Sequence, residues 1–186
     1  MRIIGVDPGT IRHSVVLLEY DAGAVHYRAG KLGDLGMVEA WLLGTYDAAI
    51  TECIKGGAYT LARSEDLIAT ARNEGRIIEM GRHVGYELMT CSAAQARGFF
   101  CGSAQASDAQ IAIVVEAIVK DAPVDMLKVD RKHVYDAILY GLFGLHLLSI
   151  RLTLPASATF AVGKRRYEER AKSAAKGKRT KAKMIR

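Results

Sequence analysis

Arg2-Ile3-Ile4-Gly5-Val6-Asp7-Pro8-Gly9-Thr10 decides how the rest of the chain is read. Ile3, Ile4 and Val6 form an apolar run too short for a helix, and Pro8-Gly9 break the chain straight after it. The pattern predicts a buried strand with an aspartate at its carboxyl end and a tight turn beyond. A carboxylate there is costly to bury unless something cationic meets it. Two readings of Asp7 stand at this point. It caps the turn through nearby backbone N–H groups, or it is a metal ligand at the end of a central strand. What separates them is whether other acidic residues are delivered to the same place.

Outward from that stretch, residues 11–20 hold Val15, Val16, Leu17 and Leu18 and predict a second strand. Asp21-Ala22-Gly23 is a hairpin turn, and residues 25–30 return as a third strand. Met37, Val38, Trp41 and Leu42 mark a short amphipathic helix. Residues 46–53 read as a short buried strand with Glu52 at its far end. A long helical segment follows over residues 58–81, with Leu61, Leu67, Ile68, Ala71, Ile77, Ile78 and Met80 on its apolar face. Residues 85–89 predict another strand. Ser92 is a good N-cap for a short helix over 93–97, and residues 98–106 read as irregular. Ser107 or Asp108 caps a helix to about Lys120, Pro123 breaks it, and a last core helix runs from about Arg131 to Ile150. This order predicts an α/β fold: a mixed five-stranded sheet, three antiparallel strands plus two parallel, flanked by helices.

At 186 residues, half of them apolar, the chain has room for one domain of roughly 150 residues and an appendage. The charge divides at the same place. From Arg151 onward twelve Lys/Arg face only Glu168 and Glu169, a net +10, while residues 1–150 carry a net −4. We therefore expect a core over 1–150 and a basic, flexible tail over 151–186, with a polyanionic partner, most simply nucleic acid. Cys53, Cys91 and Cys101 are odd in number and lack a CxxC pair, which argues against a disulfide framework or zinc site and suits a reducing compartment. The longest apolar run, residues 137–150, is interrupted by Gly141, Gly144 and His146 and is too short for a bilayer. No signal or transit segment is expected.

Four positions converge. By the crossover rule the strand ending at Glu52 should lie parallel and adjacent to the first, putting Glu52 and Asp7 on one sheet edge. The last helix opens Arg131-Lys132-His133-Val134-Tyr135-Asp136, and His133 and Asp136, three apart, share a face. Three carboxylates and an imidazole crowded together repel unless divalent cations sit among them, and hard oxygen ligands favour Mg²⁺ or Mn²⁺ over zinc. Singly, each has a plainer reading: Glu52 as a surface residue, His133 as a surface or core one, Asp136 as a favourable charge near a helix N-terminus. Asp130 is either its N-cap or an extra ligand.

The ordered set Asp7-Pro8-Gly9-Thr10, Glu52 and His133-x-x-Asp136 resembles the Holliday junction resolvases of the RuvC family. The resemblance implies a ribonuclease-H-like fold over residues 1–150, with Asp7, Glu52, His133 and Asp136 both catalytic and metal-binding. Two Mg²⁺ or Mn²⁺ ions about 4 Å apart would clamp the scissile phosphate. It further implies a homodimer, with the long helix after Glu52 near the two-fold axis, making paired symmetric nicks in a four-way DNA junction. Such an enzyme serves DNA recombination and repair with no small-molecule cofactor and no membrane, in the cytoplasm of a bacterium or of a phage-infected cell. Candidate DNA contacts are Lys55, Tyr59, Arg63, Arg72, Arg76, Arg82, Arg97, Lys164, Arg165 and Arg166. The helix arginines have a plainer reading as partners of Glu65, Asp66, Glu74 and Glu79.

Family members often carry Asp where His133 stands, and some carry His. Two departures weigh more. The family's base-stacking aromatic soon after the glutamate is missing from Cys53-Ile54-Lys55-Gly56-Gly57, Tyr59 being nearest. While Arg97 takes the place of a DNA-binding lysine of the family, the second basic residue usual at the start of the next helix is replaced by Ser107-Asp108. The alternative function is a ribonuclease-H-like nuclease with broader branched-DNA, flap or RNA specificity. A junction-binding protein without catalysis is a third. Asp-x-Gly-Thr also opens actin-like ATPases, but these need a duplicated domain for which 150 residues are too few.

Overall fold

The N-terminal run forms β1 (Arg2–Asp7), the centre of a sheet in a computed structural model that describes residues 1–53, 64–86 and 88–184. β1 pairs antiparallel with β2 (His13–Asp21), which turns through Ala22 and Gly23, both at positive φ, into β3 (Ala24–Gly33). Then α1 (Leu35–Leu42) begins at Asp34, whose carboxylate accepts from the Met37 amide. β4 (Ala48–Glu52) returns parallel to β1, with Val6 opposite Thr51. α2 (Ser64–His83) ends in a Schellman-type cap: Gly85 takes φ +84°, and the Tyr86 amide reaches back to the Gly81 carbonyl. β5 (Met89–Cys91) pairs parallel with β4. It starts four residues later than the pattern predicts because this cap occupies residues 84–86.

Three helices then precede the last. α3 (Ala93–Cys101) opens on a Ser92/Gln95 capping box, and α4 (Asp108–Ile118) on a Ser107/Gln110 one. α3 continues past Gly98 to Gly102, whose left-handed φ of 65° stops it. The irregular stretch expected from residue 98 therefore begins at 102. Phe99 and Phe100 are helical: Phe100 is buried, and Phe99 stacks on His146 with ring centroids 4.0 Å apart. Val119 turns extended, and β6 (Val119–Lys120) adds to β3 in parallel. Among the described residues the sheet thus has six strands, order β5-β4-β1-β2-β3-β6, against the five expected. The sixth is two residues long, too short to show in a hydrophobic pattern. α5 (Lys128–Leu147) is the last core helix, starting one turn ahead of Arg131. α6 (Ala156–Met184) carries the basic stretch. Its Ala158 and Val162 are buried, Val162 accepts at its carbonyl from Gln110, and Glu169 accepts from Ser107.

Alternation along β1 separates two cores. Ile4 and Val6 pack with Val38, Leu42 and Ile77 beneath α1 and α2. Ile3, Gly5 and Asp7 face α5, as do Ile50 and Glu52 of β4. Helix and strand approach very closely there. A Cβ on Gly5 would enter the backbone of Ala137 and Gly141, and one on Gly144 would strike Ile3. The glycines that interrupt the apolar run at residues 137–150 are thus what seats α5 against β1. Among the described residues no helix is long and apolar enough to cross a membrane.

Candidate active site

Parallel pairing of β1 with β4 brings two carboxylates level. Asp7 and Glu52 each follow the last paired residues, Val6 and Thr51, at one edge of the sheet. The face of α5 that meets β1 carries His133, Ala137, Gly141 and Gly144, and at its first turns adds His133 and Asp136 to that edge. Asp7, Glu52, His133 and Asp136 all line one cavity of about 240 Å³, together with the Pro8-Gly9-Thr10 turn, Thr70, Arg97, Lys132 and Tyr140. Asn73 of α2 fastens that turn, its amide donating to the carbonyls of Gly9 and Thr10 at 3.1 Å each.

Each carboxylate has a partner. The His133 Nδ1 lies 2.9 Å from Asp7 Oδ2. Arg97 of α3 donates from Nη2 to Asp136 Oδ1 at 2.9 Å and from Nη1 to the Ala106 carbonyl. The Tyr140 hydroxyl bonds Glu52. Crowding and burial nevertheless leave the group short of positive charge. Burial, then the charges of Asp7 and Asp136, push Glu52 up to about 7. Burial pushes Asp136 up to about 6, outweighing Arg97. The bond to Asp7 raises His133.

The donor chemistry fits hard divalent cations: three carboxylates and an imidazole around one cavity, with an unmet demand for positive charge. The side chains are not gathered for coordination, since among the described residues no three of His, Cys, Asp and Glu stand close enough together to hold an ion. Arg97 sits against Asp136 instead, so a cation there would enter by exchanging with Arg97.

Gln in place of Glu52 tests the electrostatic part. A carboxyl raised in the folded state stabilises below its unfolded value near 4.5. That contribution is lost as pH rises through about 7. Glu52→Gln keeps the acceptor for Tyr140 and sheds the charge. At pH 8 it should melt higher than the parent by about 3 °C, on the order of 1 kcal/mol, with the gap closing toward pH 5. A variant no more stable at pH 8 would show that Glu52 carries no such strain.

Comparison with known proteins adds the fold. No family model matches the sequence, and no curated protein matches it. Among solved structures, a Thermus thermophilus RuvC aligns with TM-score 0.60 at 16% identity, covering 82% of this chain and 99% of that one. T. thermophilus RuvC in complex with a Holliday junction substrate aligns with TM-score 0.59 at 18% identity, covering 76% of this chain and 91% of that one. The chain has a RuvC-like fold.

On this RuvC-like scaffold the other candidates are spread out. Arg97 lies in the cavity, on Asp136, away from the outer surface. Arg72 and Arg76 are exposed along α2, as is Arg82, 3.6 Å from Glu79. Lys164 is exposed, Arg165 pairs with Glu168 and Glu169, and Arg166 donates to the Cys101 carbonyl. Asp130, read as an N-cap, meets Arg12 at 3.3 Å, and Leu127 takes the cap position. Lys55, Tyr59 and Arg63 lie outside the described residues. Sequence reasoning passed over Tyr140, Thr70 and Asn73. Tyr140 was signalled: it stands four residues after Asp136, on the same helical face.

Proposed function

We propose that this chain is a structure-selective DNA endonuclease that resolves four-way junctions by paired symmetric nicks through two-metal phosphodiester hydrolysis. The observation supporting this most is the convergence of Asp7, Glu52, His133 and Asp136 on one cavity at the sheet edge of a RuvC-like fold. A solved neighbour of that fold holds a Holliday junction substrate.

In this reading Asp7, Glu52 and Asp136 would hold two Mg²⁺ or Mn²⁺ ions, with His133 as a weak further ligand or a proton shuttle. When bound, the ions neutralise the phosphodiester, lower the pKa of the attacking water and stabilise the leaving oxygen. The protein does the rest. β1 and β4 fix two of the carboxylates on backbone that cannot shift without breaking the sheet. His133 donates from Nδ1 to Asp7, which holds that carboxylate and leaves Nε2 to give or take a proton. Arg97, once released from Asp136, would offer its positive charge to a phosphate bound in the cavity.

Two copies of the chain would present paired sites, with α2 near the two-fold axis. Exposed Arg72 and Arg76 would track the junction arms. The basic region from residue 151 would serve as an appendage to the 1–150 core, adding salt-sensitive, sequence-independent contacts through Lys164. Its place would be the cytoplasm of a bacterium or of a phage-infected cell.

The test is a substrate panel. Labelled four-way junction, three-way junction, flap, RNA–DNA hybrid and linear duplex are incubated with Mg²⁺ or Mn²⁺. Symmetric paired nicks confined to the four-way junction support resolution. Equal cutting of the branched substrates supports the broader debranching alternative, and cutting of the hybrid an RNA-directed one. Binding without cutting in either metal sinks the enzyme reading.

A further inference from the structure

A second cavity, about 250 Å³, opens between α4 and α5 on the flank of the candidate site. It has room because two of the α4 side chains that line it, Ala109 and Ala112, three residues apart, are small. Ile111 and Tyr135 close its inner wall, both buried. Its rim is cationic: Lys128, Arg131 and Lys132 against the single carboxylate of Asp108. Asp108 reaches Lys132 at 3.9 Å, an exposed contact of little strength. Arg131 is partly engaged, donating to the Val124 carbonyl with its guanidinium 6.0 Å from the Tyr135 ring centroid. Lys128 is exposed.

The position of this groove matters as much as its lining. Lys132 lines both this groove and the cavity of Asp7 and Glu52, so the two adjoin at that side chain. Few ligands combine a chain of negative charges with flat apolar faces. A nucleic-acid strand does: its phosphates suit a ring of cations and its bases suit a floor of small apolar side chains. A free anion would satisfy the rim and leave the floor unused, and an apolar peptide would leave the net positive charge of the rim unmet.

We infer that the α4–α5 groove seats the DNA strand immediately flanking the scissile phosphate, with Lys128 and Arg131 on the backbone and a base or sugar against Ala109 and Ala112. This rests on the nuclease reading of the adjoining site and adds to it a path for the strand.

The experiment measures binding of a fluorescein-labelled four-way junction by anisotropy over a salt series, without divalent cations, for the parent, Ala112→Phe and Lys128→Glu. Ala112→Phe fills the floor, and Lys128→Glu reverses one exposed rim charge. Neither touches the carboxylates. Each variant should bind about tenfold more weakly at physiological salt, and Lys128→Glu should flatten the log–log salt slope by about one or more. Thermal midpoints are read alongside. If Ala112→Phe fails to fold, Lys128→Glu decides alone. Parent-like affinity and slope in folded variants, while the parent binds and cuts the junction, overturn the groove and leave the nuclease reading standing. A parent that binds no nucleic acid overturns both.

Discussion

Asp7→Asn is expected to lower junction cleavage by about a thousandfold or more while leaving junction binding within about threefold of the parent. Asn has the same shape and still accepts from His133 through its amide oxygen, so the turn and the first helical turns of α5 should hold their places. What goes is one of the three negative charges around the cavity, and with it the affinity for divalent cations. DNA is itself a polyanion, so removing a carboxylate gives no reason for weaker binding. Single-turnover cleavage and anisotropy on the same preparation separate the two effects. A companion readout needs no activity: Mn²⁺ or Mg²⁺ should raise the melting temperature of the parent and barely move that of Asp7→Asn. Parent-like cutting by the variant would mean that the ions, if any, are held elsewhere.

Gly5→Ala should be strongly destabilising for a single added methyl. The new Cβ would meet the Ala137 carbonyl oxygen and the Gly141 amide nitrogen, backbone atoms in the middle of a buried helix. Neither can rotate aside, as a side chain would, so α5 must lift from β1 or the strand must bend. We expect a loss of about 3 kcal/mol, a fall of about 6–12 °C in melting temperature, at the upper end for overpacking. Cleavage should fall further than stability alone explains, since α5 carries His133 and Asp136 to the site. Gly75→Ala is the control. That glycine lies in α2 with nothing within 4 Å of its would-be Cβ, so alanine there should stabilise by about 0.5–1 kcal/mol. Equal effects of the two variants would show that α5 and β1 do not touch as described.

The sequence alone determined the strand–turn–strand opening, the parallel return of β4, and the ordered set Asp7, Glu52, His133 and Asp136. Strand alternation, glycine and proline punctuation and the helical period are local signals, so they survive without a fold. Element ends were less legible. The Gly85 cap delays β5, Gly98 fails to stop α3, and β6 is too short to leave a pattern. Tertiary structure decided what the residues do to one another. Arg97 reads in the chain as one more cation, and only the docking of α3 beside α5 turns it onto Asp136. Tyr140 reads as core, and only the shared sheet edge sets its hydroxyl on Glu52. Of three consecutive tail cations, packing of α6 on α3 and α4 leaves Lys164 outward while Arg165 and Arg166 find partners. Residue type and spacing fix where a charge can be delivered along an element. Its counterion depends on which elements meet, and that is set by long-range packing that no local window contains.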